Sequence, residues 1–225
     1  MRLNKFIATA TGTSRREADL LIASGRITID GTVATLGDRA SDGATVQLDH
    51  RRLTLPTEST LIMLHKPVGY VSSRRAQARD ARTLYELLPP ELQKLKTVGR
   101  LDQNSSGLIL LTDNGDFAFQ MTHPKFAKTK VYEVTLDQPL EPLHQQMIAD
   151  IGVTLEDGPS RLHLEKLGDQ RKTWRVTMSE GRNRQIRRTF RALGYTVTKL
   201  HRTHFGNFAL SNLKPGQWQK LDGVV

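Results

Sequence analysis

The apolar positions of the first 60 residues predict a small module of two helices followed by short strands. Apolar side chains recur at helical spacing over residues 3–10 and again over residues 18–22. Ser14 and Glu17 have the spacing of a capping box, which begins the second helix, and a glycine follows each helical pattern. Beyond these helices, β-branched runs predict strands near residues 27–29, 33–36 and 45–48.

Residues 50–60 predict a linker, because they are polar, contain Pro56 and show no apolar periodicity. A second domain is therefore expected over residues 61–225. Apolar or alternating runs predict its strands at residues 61–64, 108–111, 128–136, 174–178 and 195–200. A turn is predicted at residues 65–70. Helical patterns lie at residues 84–88 and 117–121, and the basic segment continues as a helix through Phe190 and Leu193 to Gly194.

Composition narrows the class of protein. The 225 residues are 37% apolar and 25% charged, so a sizeable core is available and disorder is not expected. The absence of cysteine excludes disulfides, thiolate metal sites and a cysteine nucleophile. No apolar stretch approaches the roughly 18 residues that a membrane span needs, and the amino terminus lacks a signal-peptide pattern. We expect a soluble cytoplasmic protein.

The basic excess is concentrated in one segment. The net charge is +10, with 11 basic and 2 acidic residues between Lys166 and Arg202, against 8 basic and 7 acidic residues in the first 60. Such a segment favours binding to phosphates. Neither terminus carries a basic amphipathic helix with bulky apolar anchors, so a nucleic acid is favoured over a membrane.

Two strings carry the candidate chemistry. Residues 98–115, VGRLDQNSSGLILLTDNG, place Asp102 in a polar turn before a buried strand, with Arg100 two residues earlier. Such loops commonly carry reactive groups, although an aspartate there also commonly bonds to backbone amides, and the spacing leaves both roles open. In residues 179–188, SEGRNRQIRR, adjacent cations repel one another unless an anion compensates them. We interpret Arg182, Arg184 and Arg188 as phosphate contacts.

Motifs for cofactors and metals are absent from the sequence. It contains no GxxxxGK[ST] or GxGxxG loop and no HExxH pair. Ser105 and Ser106 have no histidine near them in the sequence, so a serine nucleophile is not expected. We therefore expect neither a cofactor nor a metal.

The candidate strings resemble, in order, the motifs of RsuA/RluB-type ribosomal RNA pseudouridine synthases. The string around Asp102 resembles the catalytic signature, and LHKPVGY resembles the first motif, with His65 where asparagine is usual. Lys130-Val131-Tyr132 matches the KxY motif and GRNRQIRR the third motif, while RLNKFI, SRREADLLI and GRITIDG resemble an S4-like domain. This implies an α+β chain: a small S4-like α/β RNA-binding module at residues 1–60, then a catalytic domain at residues 61–225 with a mixed, mostly antiparallel sheet.

The resemblance also implies residue roles. Asp102 would be the catalytic group, Tyr132 would stack on the target base, and Arg187 would pair with Asp102 and favour its ionised form. Arg100 would occupy the space that the base vacates or contact a flanking phosphate. In the amino-terminal module, the basic residues expected to contact RNA are Lys5, Arg15, Arg16 and Arg26.

The sequence thus predicts an enzyme that isomerises one uridine of ribosomal RNA to pseudouridine without a cofactor. The strings SRREAD, LGDR, LEDG and GRNRQIRR favour 23S over 16S RNA. The alternatives are the same reaction on 16S RNA and a non-catalytic ribosome assembly factor, which has no reason to retain Asp102, Tyr132 and Arg187 together. The expected partner is ribosomal RNA or an assembly intermediate, with no membrane, and the chain is expected to be a monomer.

Overall fold

The structure is a computed structural model that describes residues 1–74 and 81–221. Within these residues, no helix has the length and apolar character of a membrane-spanning segment. The chain forms two compact units. Among the described residues, the first contains Met1–Thr60 and Asp113–Gly115, and the second contains Leu61–Thr112 and the chain from Asp116 to Leu221.

The first unit is a pair of helices with a small antiparallel sheet. The capping box predicted for the second helix is confirmed, because Ser14 Oγ accepts from Glu17 N at 3.1 Å and Ser14 N donates to the Glu17 carboxylate at 2.7 Å. The elements are α1 (Leu3–Thr11), α2 (Arg15–Ala23), β1 (Ile27–Ile29), β2 (Thr32–Val33), β3 (Val46–Leu48) and β4 (Arg51–Arg52). The strands lie in the order β2-β1-β3-β4.

The first unit has a hydrophobic core of its own. Leu3 and Ile7 of α1 pack with Ala18 and Ile22 of α2, and strand residues such as Ile27 complete the cluster. The predicted helical faces are therefore the faces that the helices bury. Strand β4 falls inside the predicted linker, since its two exposed arginines carry no apolar signal.

The second unit is built on a nine-stranded sheet. The strands of this unit are β5 (Leu61–Lys66), β6 (Tyr70–Val71), β7 (Arg82–Thr83), β8 (Lys96–Val98), β9 (Ser106–Thr112), β10 (Lys130–Leu136), β11 (Val153–Leu155), β12 (Gly158–Ser160), β13 (His163–Leu167), β14 (Thr173–Met178), β15 (Val197–Phe205), β16 (Phe208–Ala209) and β17 (Trp218–Lys220). The main path of the sheet is β13-β14-β10-β15-β9-β5-β17, with β8 on β9 and β16 on β15. Among the described residues of this sheet, only β15 and β9 pair in parallel, so the predicted α+β class with a mixed, mostly antiparallel sheet is confirmed.

Helices cover this sheet and connect its strands. The α-helices are α3 (Gly115–Thr122), α4 (Pro142–Gln146) and α5 (Gln185–Ala192); the 3-10 helices are Leu84–Leu87, Pro90–Leu92 and Pro124–Phe126; and one π-helical turn spans Met147–Ile151. The helices predicted near residues 84–88 and 117–121 and through Phe190 are thus confirmed, the first of them as a 3-10 helix.

Strand β9 is buried on both faces of the sheet. Leu108 and Leu110 belong to one hydrophobic cluster, whereas Ile109 and Leu111 belong to another. Because side chains alternate along a strand, an unbroken apolar run indicates such two-sided burial. The strand predicted from this run is confirmed, and it extends to Ser106 and Thr112.

Gly107 is the point where β9 meets β15. Its φ of +111° lies outside the usual range of L-residues, and a Cβ built on it would lie 2.2 Å from the carbonyl oxygen of Arg202. Arg202 is its register partner in the short parallel pairing of the two strands. Only glycine allows this approach, which brings the turn before β9 next to β15.

Strand β5 corrects one part of the sequence prediction. His65 and Lys66, which were predicted to begin a turn, are the last residues of this strand, and all six of its residues are buried. His65 Nδ1 lies 2.7 Å from the carbonyl oxygen of Leu213. A strand is predicted from a run of apolar residues, and polar residues interrupt that run. The sequence therefore did not reveal that His65 and Lys66 are buried in the strand, where distant carbonyl groups bind their side chains.

Candidate active-site cleft

The second unit contains a cleft of about 950 Å³. Its wall is formed by β10 and β15, by the turn before β9, and by the segment that connects β14 to α5. Five residues singled out in the sequence line it: Arg100, Asp102, Tyr132, Arg182 and Arg184. Arg187 and Arg188 are not among the lining residues.

The turn that carries Asp102 is held by hydrogen bonds on both sides. Leu101 N donates to Ser72 Oγ at 3.1 Å, and this hydroxyl donates to the Leu101 carbonyl at 2.9 Å. On the other side, Gly69 N donates to the Gln103 carbonyl at 2.8 Å, and Ser105 N donates to the Asp102 carbonyl at 3.0 Å. The carboxylate of Asp102 is therefore fixed at the cleft, with a third of its side chain exposed.

Arg184 is the cation that contacts Asp102. Its Nη1 lies 3.2 Å from Asp102 Oδ2, although 82 residues separate the two along the chain. Arg184 precedes α5 in a left-handed conformation, with φ of +46°. This turn of the backbone places its side chain in the cleft ahead of the helix.

Arg187, the predicted partner of Asp102, has a different role in the structure. It donates to the Val197 carbonyl at 2.7 Å, and through Nη2 to the Asn104 carbonyl at 2.8 Å and to Ser105 Oγ at 3.4 Å. Burial lowers its pKa, as does the charge of Arg184, while the charge of Asp102 acts in the opposite direction. The guanidinium group of Arg187 thus donates to backbone carbonyls and stabilises the turn that carries Asp102.

Lys66 also stabilises the turn that carries Asp102. It is fully buried, and its Nζ donates to the carbonyls of Pro67 at 2.8 Å and Ser105 at 2.7 Å. Burial lowers the pKa of Lys66 to about 8, and the charge of Asp102 opposes this shift. Lys66 and Arg187 therefore secure the turn from two directions.

Tyr132 forms part of an apolar wall of the cleft. It lies on β10, is 8% exposed, and has Arg202 of β15 as its register partner. Met178, Ile186 and Leu200 line the cleft as well. A flat aromatic ring together with aliphatic side chains is suited to holding a nucleobase.

Two cations of the cleft were missed as site residues in the sequence. Arg202 is 2% exposed, donates Nε to the Leu108 carbonyl at 2.7 Å, and places its guanidinium 4.8 Å from the centre of the Phe205 ring. Lys130 donates to the carbonyls of Lys128 and Ser179, and burial and the charge of Arg202 lower its pKa. The position of Arg202 next to Tyr132 depends on strand pairing, which sequence spacing does not reveal, whereas Lys130 lies two residues before Tyr132 on the same strand.

Arg182 and Arg188 are compensated by an anion of the protein itself. Arg182 Nη1 lies 2.8 Å from Asp157 Oδ1, and Arg188 Nη2 lies 2.6 Å from Asp157 Oδ2. The hydrogen bond from Arg188 is the largest influence that holds the pKa of Asp157 below its usual value. The sequence pattern predicts that RNA phosphates supply the compensating charge, but for these two side chains Asp157 supplies it.

The four basic residues of the first unit that are expected to contact RNA differ in exposure and in ion pairing. Arg15 and Arg16 are exposed in the first turn of α2. Arg26 is also exposed, but it forms a two-point ion pair with Asp49, with Nε 2.9 Å from Oδ1. Lys5 is half-buried. Among these four, Arg15 and Arg16 present their charges most openly.

Ser106 has a histidine partner that is distant in the sequence. Its Oγ lies 2.9 Å from His201 Nδ1, and the ring of His65 lies 5.2 Å from that of His201. The register partner of His201 is Glu133, which follows Tyr132 on β10. Because neighbouring residues of a strand point to opposite faces, this pair lies on the face of the sheet away from Tyr132.

Comparisons with known proteins agree with this arrangement. The profile of the RNA pseudouridylate synthase family matches residues 60–192, and that of the S4 domain matches residues 1–46. The chain therefore belongs to the RNA pseudouridine synthases and combines the catalytic domain of that family with an amino-terminal S4 domain.

Relatives of known name cover nearly the whole chain. The ribosomal small subunit pseudouridine synthase A of Pasteurella multocida is 37% identical over 98% of this chain and 96% of its own length. The ribosomal large subunit pseudouridine synthase B of the same organism is 34% identical over 98% of this chain and 67% of its own. A crystal structure of a pseudouridylate synthase matches with a TM-score of 0.70 and 35% identity, over 98% of this chain and 96% of that one.

Proposed function

We propose that this enzyme converts one uridine of ribosomal RNA to pseudouridine and that Asp102 is its catalytic group. The observation that carries the proposal is the placement of Asp102. Its carboxylate lies on a turn held by hydrogen bonds, 3.2 Å from Arg184, in a cleft that Tyr132 also lines. A non-catalytic RNA-binding protein would have no need to hold a carboxylate in this way.

The reaction rearranges bonds within one nucleotide. The bond between N1 of uracil and C1′ of ribose breaks, a bond between C5 and C1′ forms, C5 loses its proton and N1 gains one. Asp102 acts at the sugar, either by adding to C1′ or by abstracting the C2′ proton. Both routes use the carboxylate of Asp102 as the reacting group, and Arg184 Nη1 lies 3.2 Å from its Oδ2. No redox step occurs, so the chemistry itself calls for no cofactor.

The remaining residues hold the substrate and the turn. A base within folded RNA leaves its stack to enter such a cleft, where Tyr132 stacks on it. Lys66 and Arg187 act as positioning residues, because they secure the turn that carries Asp102. Arg100, which is exposed at the cleft, contacts a neighbouring phosphate. The enzyme acts as a monomer in the cytoplasm.

The target RNA has two candidates. The strings noted above favour 23S RNA, while relatives named for the small subunit, at up to 37% identity, support 16S RNA as the second candidate. Pseudouridine should be mapped in both RNAs from cells with and without this enzyme. Loss of one site in one RNA is the expected result. Identical maps would contradict the proposed function.

Arg15 and Arg16 of the first unit should contribute to RNA binding and not to chemistry. The double change Arg15→Ala with Arg16→Ala removes two exposed charges and should raise KM for ribosomal RNA, with a smaller effect on kcat. The slope of log affinity against log salt should flatten by about 0.7 to 0.9 per lost phosphate contact. The matched control is Arg51→Ala with Arg52→Ala, which removes two exposed arginines from β4 of the same unit. Equal effects of both pairs would contradict a specific role for α2.

A further inference from the structure

A cluster of aromatic side chains lies on the surface beside the cleft. Phe119 lies in α3, His123 directly follows this helix, and Phe126 is in the 3-10 helix that comes next. Lys125 lies between the two phenylalanines. We call Phe119, His123, Lys125 and Phe126 the aromatic rim.

The aromatic rim is not part of the protein core. Helix α3 directs Phe117, Ala118 and Met121 towards a buried cluster. Phe119 lies on the other side of the helix and is 45% exposed, and Phe126 is 37% exposed. Exposed side chains of this size in one place commonly mark a binding surface.

The rings of the aromatic rim are arranged around a cation. Phe119 and Phe126 meet edge to face, with ring centres 5.8 Å apart, and His123 lies 4.6 Å from Phe119. Lys125 Nζ lies 4.6 Å from the centre of the Phe126 ring and 5.2 Å from that of Phe119. Stacking surfaces next to a positive charge are the features that bind unpaired nucleotides.

The aromatic rim is continuous with the cleft. Thr122 and Pro124, which alternate with rim residues along the chain, line the cleft together with Asp102. Thr122 also packs against the turn that leads to Arg100, since its Cγ2 would lie 3.5 Å from a Cβ at Gly99. A nucleotide adjoining one held in the cleft is therefore within reach of these rings.

We propose that the aromatic rim stacks an unpaired base next to the target uridine and that Lys125 contacts the phosphate of that nucleotide. This inference rests on the proposed function. When one base leaves its stack, a neighbouring base loses a stacking partner, and an aromatic side chain can replace it. The rim would thereby favour targets in loops or bulges over targets in continuous duplex.

Paired variants separate stacking from general apolar contact. Phe119→Leu with Phe126→Leu keeps apolar surface but removes both rings, whereas Phe119→Tyr with Phe126→Tyr keeps the rings. With ribosomal RNA purified from cells lacking the enzyme, the leucine pair should raise KM at least about fivefold, with a smaller change in kcat. The tyrosine pair should stay close to the unaltered enzyme. Lys125→Ala should flatten the salt dependence of affinity by about 0.7, the value for one single-strand contact.

Leu143→Ala is the matched control, because Leu143 is 65% exposed on α4 and does not line the cleft. Its KM should not change. Equal KM values for the leucine and tyrosine pairs would overturn the inference. The inference would also be overturned if the leucine pair raised KM for ribosomal particles but not for purified RNA, since that result would indicate a protein partner. If the unaltered enzyme formed no pseudouridine in any RNA, the proposed function itself would fail, which is a different result from unchanged KM.

Discussion

Asp102→Asn should abolish pseudouridine formation while leaving the fold and the affinity for RNA nearly unchanged. Asparagine has the shape of aspartate but neither its negative charge nor its ability to add to C1′ or accept a proton. Loss of a group that performs the chemistry commonly lowers turnover by roughly four orders of magnitude. The lost ion pair with Arg184 is partly exposed, so its effect on the free energy of unfolding should be at most about 1 kcal/mol.

Tritium release from ribosomal RNA that contains 5-tritiated uridine measures this effect, because the C5 proton leaves during the reaction. Asp150→Asn is the control, since it makes the same chemical change at an exposed position outside the cleft lining. Normal tritium release by Asp102→Asn would exclude Asp102 as the catalytic group. In the same assay, Arg184→Ala should reduce turnover less strongly, because the carboxylate itself is retained.

Gly107→Ala should destabilise the second unit and disturb the active site together. The added Cβ would lie 2.2 Å from the carbonyl oxygen of Arg202 and 2.6 Å from its backbone nitrogen. These are backbone atoms, so no side-chain rotation can relieve the clash, and β15 must shift from β9. Left-handed strain and overpacking together should lower the free energy of unfolding by about 2 to 5 kcal/mol.

Gly194→Ala separates the two causes of that loss. Gly194 also has a positive φ, of +86°, but no atom lies within 4 Å of the position of a new Cβ. Gly194→Ala should therefore lower the free energy of unfolding only through the strained backbone, by about 1 to 2 kcal/mol. Urea unfolding of both variants measures the difference. If Gly107→Ala were no more destabilised than Gly194→Ala, the close approach of β15 to β9 would be wrong.

Local patterns in the sequence were sufficient for the elements whose burial is regular. The helical faces of α1 and α2 and the unbroken run in β9 depend on side chains a few residues apart, and the structure buries these side chains as predicted. Strands with mixed polar and apolar character were harder to predict. The sequence predicts a turn at the end of β5, but His65 and Lys66 are buried strand residues whose side chains bond to the distant carbonyl groups of Leu213 and Ser105.

The sequence by itself also determined which segments carry the candidate chemistry, since motif order places Asp102, Tyr132 and the arginine string in one domain. Tertiary structure alone decided which arginine meets the carboxylate. Arg184 and Arg187 are three residues apart, yet the left-handed backbone at Arg184 directs it to Asp102, while Arg187 is bound to the carbonyls of Asn104 and Val197.

The same distinction applies to the other contacts that the sequence did not reveal. Ser106 and His201 are 95 residues apart, and Arg182 and Asp157 are 25 apart. Such pairs form where strand pairing and turns bring distant residues within hydrogen-bonding distance. The separation of two residues along the chain does not predict this distance. Periodicity follows from local backbone geometry, whereas the choice of partner for a buried charge follows from the whole fold.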